Sequence, residues 1–138
     1  MDFKIKGEVL LIEDSPAAAN FAKRLLQRNN ISNSVSIKTN GEEGLEYILK
    51  MASESFPKLI LLDLNMPILG GFGFLSKYEE LVTQHQREKC LVVLLSTSII
   101  ESDLEKSKQF IDVPMFLTKP LNKDKLKVIV NTYYSKIL

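Results

Sequence analysis

The chain has 138 residues, 45% hydrophobic and 25% charged, which is enough to bury one hydrophobic core but not two. Its 18 Lys and Arg against 17 acidic residues give a net charge of +1, which excludes a broad electrostatic field for nucleic acid or an anionic membrane. We expect one domain over residues 1–138, with its core at about residues 7–137.

The cellular compartment is indicated by the start of the chain and by its one cysteine. Residues 1–7 alternate charged and apolar side chains without the hydrophobic core of a signal peptide, and no later run approaches the ~18 apolar residues of a membrane span. Cys90 opens an apolar run and has no second cysteine to pair with. Both features favour a cytoplasmic protein that is neither secreted nor inserted in a membrane.

Short apolar runs mark the predicted strands. The runs Val9 to Ile12, Leu59 to Leu62 and Leu91 to Leu95 are continuous, which is typical of strands covered on both faces. Two poorer segments, Val35 to Lys38 and Met115 to Leu117, suit edge strands, because one side of an edge strand meets water. Five strands are therefore predicted.

Between the strands, apolar residues recur at three- and four-residue spacing and predict five amphipathic helices. The predicted stripes are Ala18, Phe21, Ala22, Leu25, Leu26; Leu45, Ile48, Leu49, Ala52; Leu75, Tyr78, Val82; Ile100, Leu104, Ser107, Ile111; and Leu126, Ile129, Val130, Tyr133. Helix starts are indicated by Ser15 before Pro16 and by two possible capping boxes, Asn40 with Glu43 and Ser98 with Glu101. This alternation predicts an α/β fold, a (βα)5 flavodoxin-like three-layer sandwich around a parallel five-stranded sheet in the order 2-1-3-4-5.

Polar residues follow the predicted strands at their carboxyl ends. Glu13 and Asp14 end the first strand, Asp63 the third and Ser96 the fourth, and Lys119 follows the fifth. In an open parallel sheet these ends line one crevice, where ligands bind. We therefore expect five polar groups to meet there.

Three carboxylates in one crevice repel one another by about 4 kcal/mol for each close pair at ~4 Å and an effective dielectric near 20. The cluster of Glu13, Asp14 and Asp63 therefore needs a cation. Oxygen ligands without histidine favour Mg²⁺, which leaves coordination positions for a phosphate group. Lys119 and the Ser96 hydroxyl could bind the remaining phosphoryl oxygens, and Asp63, at the central strand end, is the predicted nucleophile.

These residues resemble the receiver domains of two-component response regulators, in particular chemotaxis-regulator-like single-domain regulators. The resemblance rests on Glu13-Asp14, the stretch from Leu61 to Pro67 with Gly71, Ser96, and Lys119-Pro120, in that order along nearly the whole chain. It implies that Asp63 is the phosphoacceptor. It also implies that Glu13, Asp14, Asp63 and the main-chain carbonyl of Asn65 hold Mg²⁺.

The same resemblance assigns residues to phosphoryl binding and switching. It implies that Ser96 and Lys119 bind the phosphoryl group, that the Lys119–Pro120 peptide bond is cis, and that Ser96 and Phe116 act as the switch pair. Phe116 could equally be an ordinary core residue of an edge strand.

By this resemblance the protein is a phosphorylation-activated switch of a two-component system or phosphorelay, with no output domain. The resemblance implies that a histidine kinase or phosphotransfer protein donates the phosphoryl group and that signalling passes to an unknown downstream protein partner. The protein is expected to be a monomer or weak dimer. It is not expected to be an enzyme, apart from catalysing its own phosphotransfer and dephosphorylation.

Three alternatives also fit an acidic crevice on such a sheet. A phosphatase of the haloacid-dehalogenase type uses an aspartyl nucleophile, but it needs a second acid where Asn65 stands. Flavodoxin-like sheets also bind FMN near the same edge. The third alternative is a receiver-like binding module that signals without phosphate.

Overall fold

The computed structural model describes residues 4–112 and 114–137. Its strands are β1 (Val9–Ile12), β2 (Val35–Lys38), β3 (Leu59–Asp63), β4 (Leu91–Ser96) and β5 (Met115–Thr118). They form one sheet in the order β2-β1-β3-β4-β5, and every neighbouring pair is parallel. The predicted fold class and strand order are confirmed.

Helices connect successive strands. They are α1 (Pro16–Arg28), α2 (Gly41–Leu49), α3 (Gly71–Leu81), α4 (Gln84–Glu88), α5 (Glu101–Ser107) and α6 (Lys123–Ile137), with a short 3-10 turn at Ser53–Ser55. Within the described part of the chain, no helix combines the length and the apolar character that a membrane crossing requires.

The sheet separates two hydrophobic clusters. In β1, Val9 and Leu11 face a cluster shared with α1 and α6, whereas Leu10 and Ile12 face a cluster shared with α2 and α3. Because alternate residues of a strand point to opposite faces, a continuous apolar run serves both clusters. The central strands are buried along their whole length, and the edge strands β2 and β5 are half-buried.

Two of the predicted helix starts are present. The Ser15 hydroxyl accepts a hydrogen bond from the Ala18 amide at 3.2 Å, and Pro16 occupies the first turn of α1. The Asn40 side chain accepts from the Glu43 amide at 2.9 Å. The Glu43 carboxylate returns to Thr39 and not to Asn40, so the box closes one residue earlier than predicted.

The prediction for the fourth helix was wrong in two respects. Ile100 is the N-cap and has no side-chain oxygen to cap with, so Ser98 and Glu101 form no capping box. The helix ends at Ser107, so Ile111 cannot extend its stripe. Ile100, Leu104 and Ile111 are all exposed, at 53%, 37% and 74%.

The helix α4 was not predicted from the sequence, because its five residues are polar and form no apolar stripe. The helix is capped by the Thr83 side chain. Arg87 anchors it by donating to the Val82 carbonyl at 2.6 Å and pairing with Asp112 at 3.0 Å. Polar and backbone contacts therefore hold this helix in place of a hydrophobic face.

Candidate functional site

Three carboxylates converge where β1 and β3 end. Glu13 and Asp14 follow the last residue of β1, and Asp63 is the last residue of β3. Each offers an oxygen, and the three oxygens lie within 4.8 Å of one another. Asp63 is buried, Glu13 is nearly so, and Asp14 is exposed, so the cluster has one side open to solvent.

Lys119 brings a positive charge to this cluster from the end of β5. Its amide donates to the Ser96 carbonyl at 2.7 Å, which fixes the backbone beside β4, and its peptide bond to Pro120 is cis. The Lys119 ammonium lies 3.1 Å from Asp63 Oδ1 and also donates to Glu13. Four of the five predicted groups therefore meet at one end of the sheet.

The ionisation of Asp63 reflects this crowding. Burial and the negative charge of Glu13 raise the pKa of Asp63 to about 7, although the nearby Lys119 opposes the change. Burial alone would lower the pKa of Lys119, but its hydrogen bond to Glu13 and the charge of Asp63 raise that pKa above its ordinary value. A single ammonium does not balance the three acids.

The residues present fit a hard divalent cation. All three side-chain ligands are carboxylates, and hard cations such as Mg²⁺, Ca²⁺ and Mn²⁺ prefer such oxygen ligands. Burial first and the charge of Glu13 second raise the pKa of Asp63, and a bound cation would oppose both. The cluster could therefore hold a metal ion. Asn65 lies beside the cluster and is exposed. Its backbone N–H donates to Asp63 Oδ1 at 3.4 Å.

The fifth predicted group, Ser96, lies at the same edge of the sheet but makes no hydrogen bond to the charged cluster. It is the last residue of β4 and is buried. Its hydroxyl donates to the Ser98 carbonyl at 2.7 Å, within its own loop, and not to Asp63 or Lys119. Phe116 is half-buried in β5 and packs against the α2–α3 cluster.

The loop between β3 and α3 is shaped by close backbone approaches that the sequence did not reveal. A Cβ on Gly71 would lie 3.0 Å from the Asp63 carbonyl oxygen, so this glycine allows α3 to start against the end of β3. In the same loop, the Gly41 amide of α2 donates to the Leu69 carbonyl at 3.0 Å. Ile68 has a φ of 69°, a left-handed conformation that is costly for a β-branched residue.

Lys125, in the first turn of α6, also helps to hold the site in place. Its ammonium donates to the Thr118 carbonyl at 2.7 Å, the Thr118 hydroxyl at 3.0 Å and the Pro120 carbonyl at 3.0 Å. These bonds tie α6 to the segment that carries Lys119. No sequence signal distinguishes Lys125 from Lys123 or Lys127.

An apolar cavity of about 430 Å³ opens beside the carboxylates. Its walls come from α1, from the segment after β5 and from strands β1, β3 and β4, and they include Ala18, Phe21, Pro120 and Leu121. Asp63, Glu13 and Lys119 also line it. The charged cluster therefore adjoins an apolar recess.

Comparison with known proteins places this site in a family. Residues 9–131 match the model of the response regulator receiver domain. The chain is 30% identical over 122 residues to the probable methanogenesis regulatory protein FilR2 of Methanothrix harundinacea, covering 86% of this chain and 76% of that protein. It is also 30% identical over 125 residues to the response regulator Rcp1 of Synechocystis sp., covering 88% and 82%.

Solved structures give the same picture. A two-component response regulator from Cytophaga hutchinsonii superposes with a TM-score of 0.83 at 24% identity, covering 94% of this chain and 97% of that one, which is a likeness of fold. The Mn²⁺-bound form of response regulator Rcp1 superposes with a TM-score of 0.69 at 28% identity, covering 94% and 92%. From its fold, its acidic cluster and these matches, the chain belongs to the response regulator receiver domain family.

Proposed function

We propose that this protein is a phosphorylation-activated switch of a two-component system or phosphorelay, and that Asp63 accepts the phosphoryl group. The observation that carries the proposal is the surroundings of Asp63. A buried carboxylate lies 3.1 Å from a lysine ammonium and within 4.8 Å of two further acids that could share a cation. This combination of nucleophile, cation and metal ligands is suited to phosphoryl transfer.

Mg²⁺, held by Glu13, Asp14, Asp63 and the Asn65 main-chain carbonyl, would neutralise phosphoryl oxygens and the surplus charge of the cluster. That the related Rcp1 has a Mn²⁺-bound form supports a divalent cation in this family. A cation held there would also favour the ionised form of Asp63, which is the nucleophile.

In the transfer step, an Asp63 carboxylate oxygen forms a bond to phosphorus. The bond between phosphorus and the donor's imidazole nitrogen breaks, and the imidazole leaves with the electron pair of that bond. The Lys119 ammonium, which is paired with Asp63 and Glu13 before transfer, then pairs with one phosphoryl oxygen as negative charge grows there. Attack of water on phosphorus later returns Asp63 to its carboxylate, so the protein performs only its own phosphotransfer and dephosphorylation.

The switch step begins at Ser96. Its hydroxyl leaves the Ser98 carbonyl and donates to a phosphoryl oxygen, which draws the loop after β4 towards Asp63. Phe116 then turns into the space that the loop vacates and changes the surface around β5. A shift from 1:99 to 99:1 between the two states needs about 5.5 kcal/mol, which a few charge-assisted hydrogen bonds can supply.

The proposed setting is cytoplasmic, with a histidine kinase or phosphotransfer protein as the donor and a downstream protein as the target. We propose one receiver domain, monomeric or weakly dimeric, that binds neither nucleic acid nor membrane. The family match disfavours the phosphatase and flavin alternatives.

The test is the intact mass of the protein after incubation with acetyl phosphate. With Mg²⁺ present we expect the mass of one added PO₃ group, and with EDTA we expect none. Asp63→Asn should stay unmodified under both conditions. Equal modification of wild type and Asp63→Asn, or modification in EDTA, would overturn the proposal.

A further inference from the structure

A cleft of about 560 Å³ opens at the end of the sheet opposite to Asp63. It is lined by Leu91 and Met115, which are the first residues of β4 and β5. From Leu91 to Ser96, β4 is about 16 Å long at ~3.3 Å per residue, so the cleft is far from the acidic cluster. It also shares no lining residue with the apolar cavity beside Asp63.

The wall of the cleft contains a buried tyrosine whose hydroxyl has no partner. Tyr78 is 2% exposed and lines the cleft, and its hydroxyl makes no hydrogen bond within the described part of the chain. The Cys90 thiol lies beside it, but sulfur is a weak acceptor and the two groups form no hydrogen bond. Because buried polar groups in folded proteins are nearly always paired, we expect the partner of this hydroxyl to come from outside the chain.

A cation also lines the cleft. The Lys136 ammonium donates to the Cys90 carbonyl at 2.6 Å and to the Arg87 carbonyl at 3.4 Å, and its third hydrogen is left for another acceptor. Lys136 takes part in none of the ion pairs between described residues. Asp112, which lines the cleft as well, is neutralised by Arg87 at 3.0 Å. The cleft therefore has an excess of positive charge.

The other lining residues favour an aromatic ring. Met115 and Cys90 bring sulfur to the cleft, Tyr78 brings an aromatic side chain, and all three kinds of group pack well against aromatic rings. Burial raises the pKa of the Cys90 thiol to about 12, so the thiol stays neutral and adds no charge. The volume also lies within the range of about 300–1,000 Å³ that is usual for small-molecule sites.

The rim of the cleft is fixed without a ligand. Arg87 pairs with Asp112 and donates to the Val82 carbonyl at 2.6 Å, which ties the segment before β5 to the end of α3. The Arg87 side chain is only 12% exposed, so solvent weakens this pair little. A site that is formed in advance loses less conformational freedom when a ligand binds.

We propose that this cleft binds a small aromatic carboxylate. The ring packs against Met115 and Tyr78, and the carboxylate accepts hydrogen bonds from the Lys136 ammonium and the Tyr78 hydroxyl. A carboxylate suits these donors because it has two acceptor oxygens and one negative charge, and both donors adjoin Cys90. The inference goes beyond the proposed function and does not depend on it, since the cleft and the phosphoacceptor are at opposite ends of the sheet.

Other classes of ligand fit the cleft less well. A cation would be repelled by Lys136. A wholly apolar molecule would leave the Tyr78 hydroxyl unpaired. Inorganic phosphate has no apolar part and would leave Leu91 and Met115 in contact with water.

The probe is 2-naphthoate, titrated into the full chain and followed by the backbone amide chemical shifts in NMR spectra. We expect a dissociation constant on the order of 1 mM, as ligand efficiency predicts for a molecule of about 13 heavy atoms. The amides of Leu91, Met115 and Thr132 should shift, whereas those of Glu13 and Asp63 should not. The neutral analogue 2-naphthamide has the same ring and should bind about fivefold more weakly.

Lys136→Met tests the charge of the cleft. It should weaken binding of 2-naphthoate about fivefold and leave binding of 2-naphthamide unchanged. Lys127→Met is the matched control, because this exposed lysine is on the same helix, does not line the cleft and carries the same charge. It should bind both molecules like wild type.

Tyr78→Phe tests the unpaired hydroxyl. It should weaken binding of 2-naphthoate about fivefold, because one hydrogen bond to the ligand is lost. The melting temperature of the ligand-free variant should not fall, since the hydroxyl has no bond within the protein to lose. A structural role alone would lower the melting temperature instead.

Three results would overturn the inference. The first is the absence of localised shift changes at concentrations about tenfold above the expected dissociation constant. The second is equal binding of 2-naphthoate by wild type and Lys136→Met. The third is a lower melting temperature for Tyr78→Phe, which would mean that the hydroxyl has a partner within the chain. None of these results bears on phosphorylation of Asp63, and Asp63→Asn should bind 2-naphthoate like wild type.

Discussion

Lys119 lies 3.1 Å from Asp63 and also donates to Glu13, so one ammonium serves two nearly buried carboxylates. The consequence is a site under electrostatic strain when no metal is bound, because Asp14 adds a third negative charge nearby. The stability of the folded protein should therefore depend on both pH and metal binding.

Replacing Asp63 by Asn should stabilise the metal-free protein at high pH. The folded-state pKa of Asp63 is about 7 against 3.8 for an ordinary aspartate, so the folded state binds more protons and loses stability as the pH rises through that interval. The gain in unfolding free energy should be on the order of 2 kcal/mol, since each pKa unit is worth about 1.4 kcal/mol and solvent at the open side of the cluster screens part of the effect. Urea denaturation in EDTA measures it.

The gain should shrink as the pH falls to about 4, near the ordinary pKa of aspartate. A difference between Asp63→Asn and wild type that is independent of pH would contradict this assignment of the raised pKa to Asp63.

Metal binding should depend on Asp14. We expect Mg²⁺ to raise the melting temperature of wild type, because binding to the folded state alone stabilises it. Asp14→Ala should weaken the apparent affinity about tenfold or more, since loss of even an outer-shell partner costs about 10- to 100-fold. Glu54→Gln, at an exposed acid of the 3-10 turn, is the control and should titrate like wild type. An unaltered titration for Asp14→Ala would remove that residue from the metal site.

Lys125 and Lys127 should differ although they occupy the same helix. Lys125→Met removes the hydrogen bonds to Thr118 and Pro120 and should lower the unfolding free energy by about 1–2 kcal/mol. Lys127→Met should be nearly neutral, because this exposed lysine makes no ion pair with the described residues. Chemical denaturation measures the unfolding free energy of both variants. Equal losses would show that the Lys125 hydrogen bonds do not contribute to stability.

A methyl group at Gly41 should be costly. A Cβ there would lie 2.5 Å from the Leu69 carbonyl oxygen, which already accepts the Gly41 amide hydrogen bond and cannot move without breaking it. We expect Gly41→Ala to destabilise by about 1–3 kcal/mol, the usual cost of overpacking. Gly70→Ala is the control, because its nearest neighbour would be 3.2 Å away and its φ of −76° suits alanine. Similar melting temperatures for the two variants would refute this account of the loop.

Ile68 should be replaceable with a gain in stability. Its side chain is 75% exposed and its backbone is left-handed, a conformation that costs non-glycine residues roughly 1–2 kcal/mol. Asn tolerates this conformation, so Ile68→Asn should raise the unfolding free energy by about 1 kcal/mol. Ile68→Val keeps the β-branch and should leave stability unchanged. A loss of stability in Ile68→Asn would mean that Ile68 makes contacts worth more than its strain.

Sequence reasoning succeeded where side-chain pattern alone determines structure. The apolar runs at Val9, Leu59 and Leu91 identify the central strands, and strand ends place Asp14, Asp63 and Lys119 together because parallel strands finish at the same edge. The strand order followed from which strands are buried on both faces.

Sequence reasoning failed where the structure depends on backbone geometry or on the contacts of long polar side chains. The apolar residues Ile100 and Ile111 looked like part of a buried stripe, but α5 is too short to bring them onto the core. The polar helix α4 depends on Arg87 reaching Asp112, which no periodicity predicts. The separate fates of Lys125 and Lys127 likewise depend on three-dimensional contacts.

The most direct test of the central claim is to locate the phosphoryl group. The protein is phosphorylated with acetyl phosphate and Mg²⁺, the acyl phosphate is reduced with borohydride, and peptides are sequenced by mass spectrometry. We predict conversion of Asp63 to homoserine, dependent on Mg²⁺, with Glu13 and Asp14 unchanged. Modification at another residue, with Asp63 intact, would contradict the account.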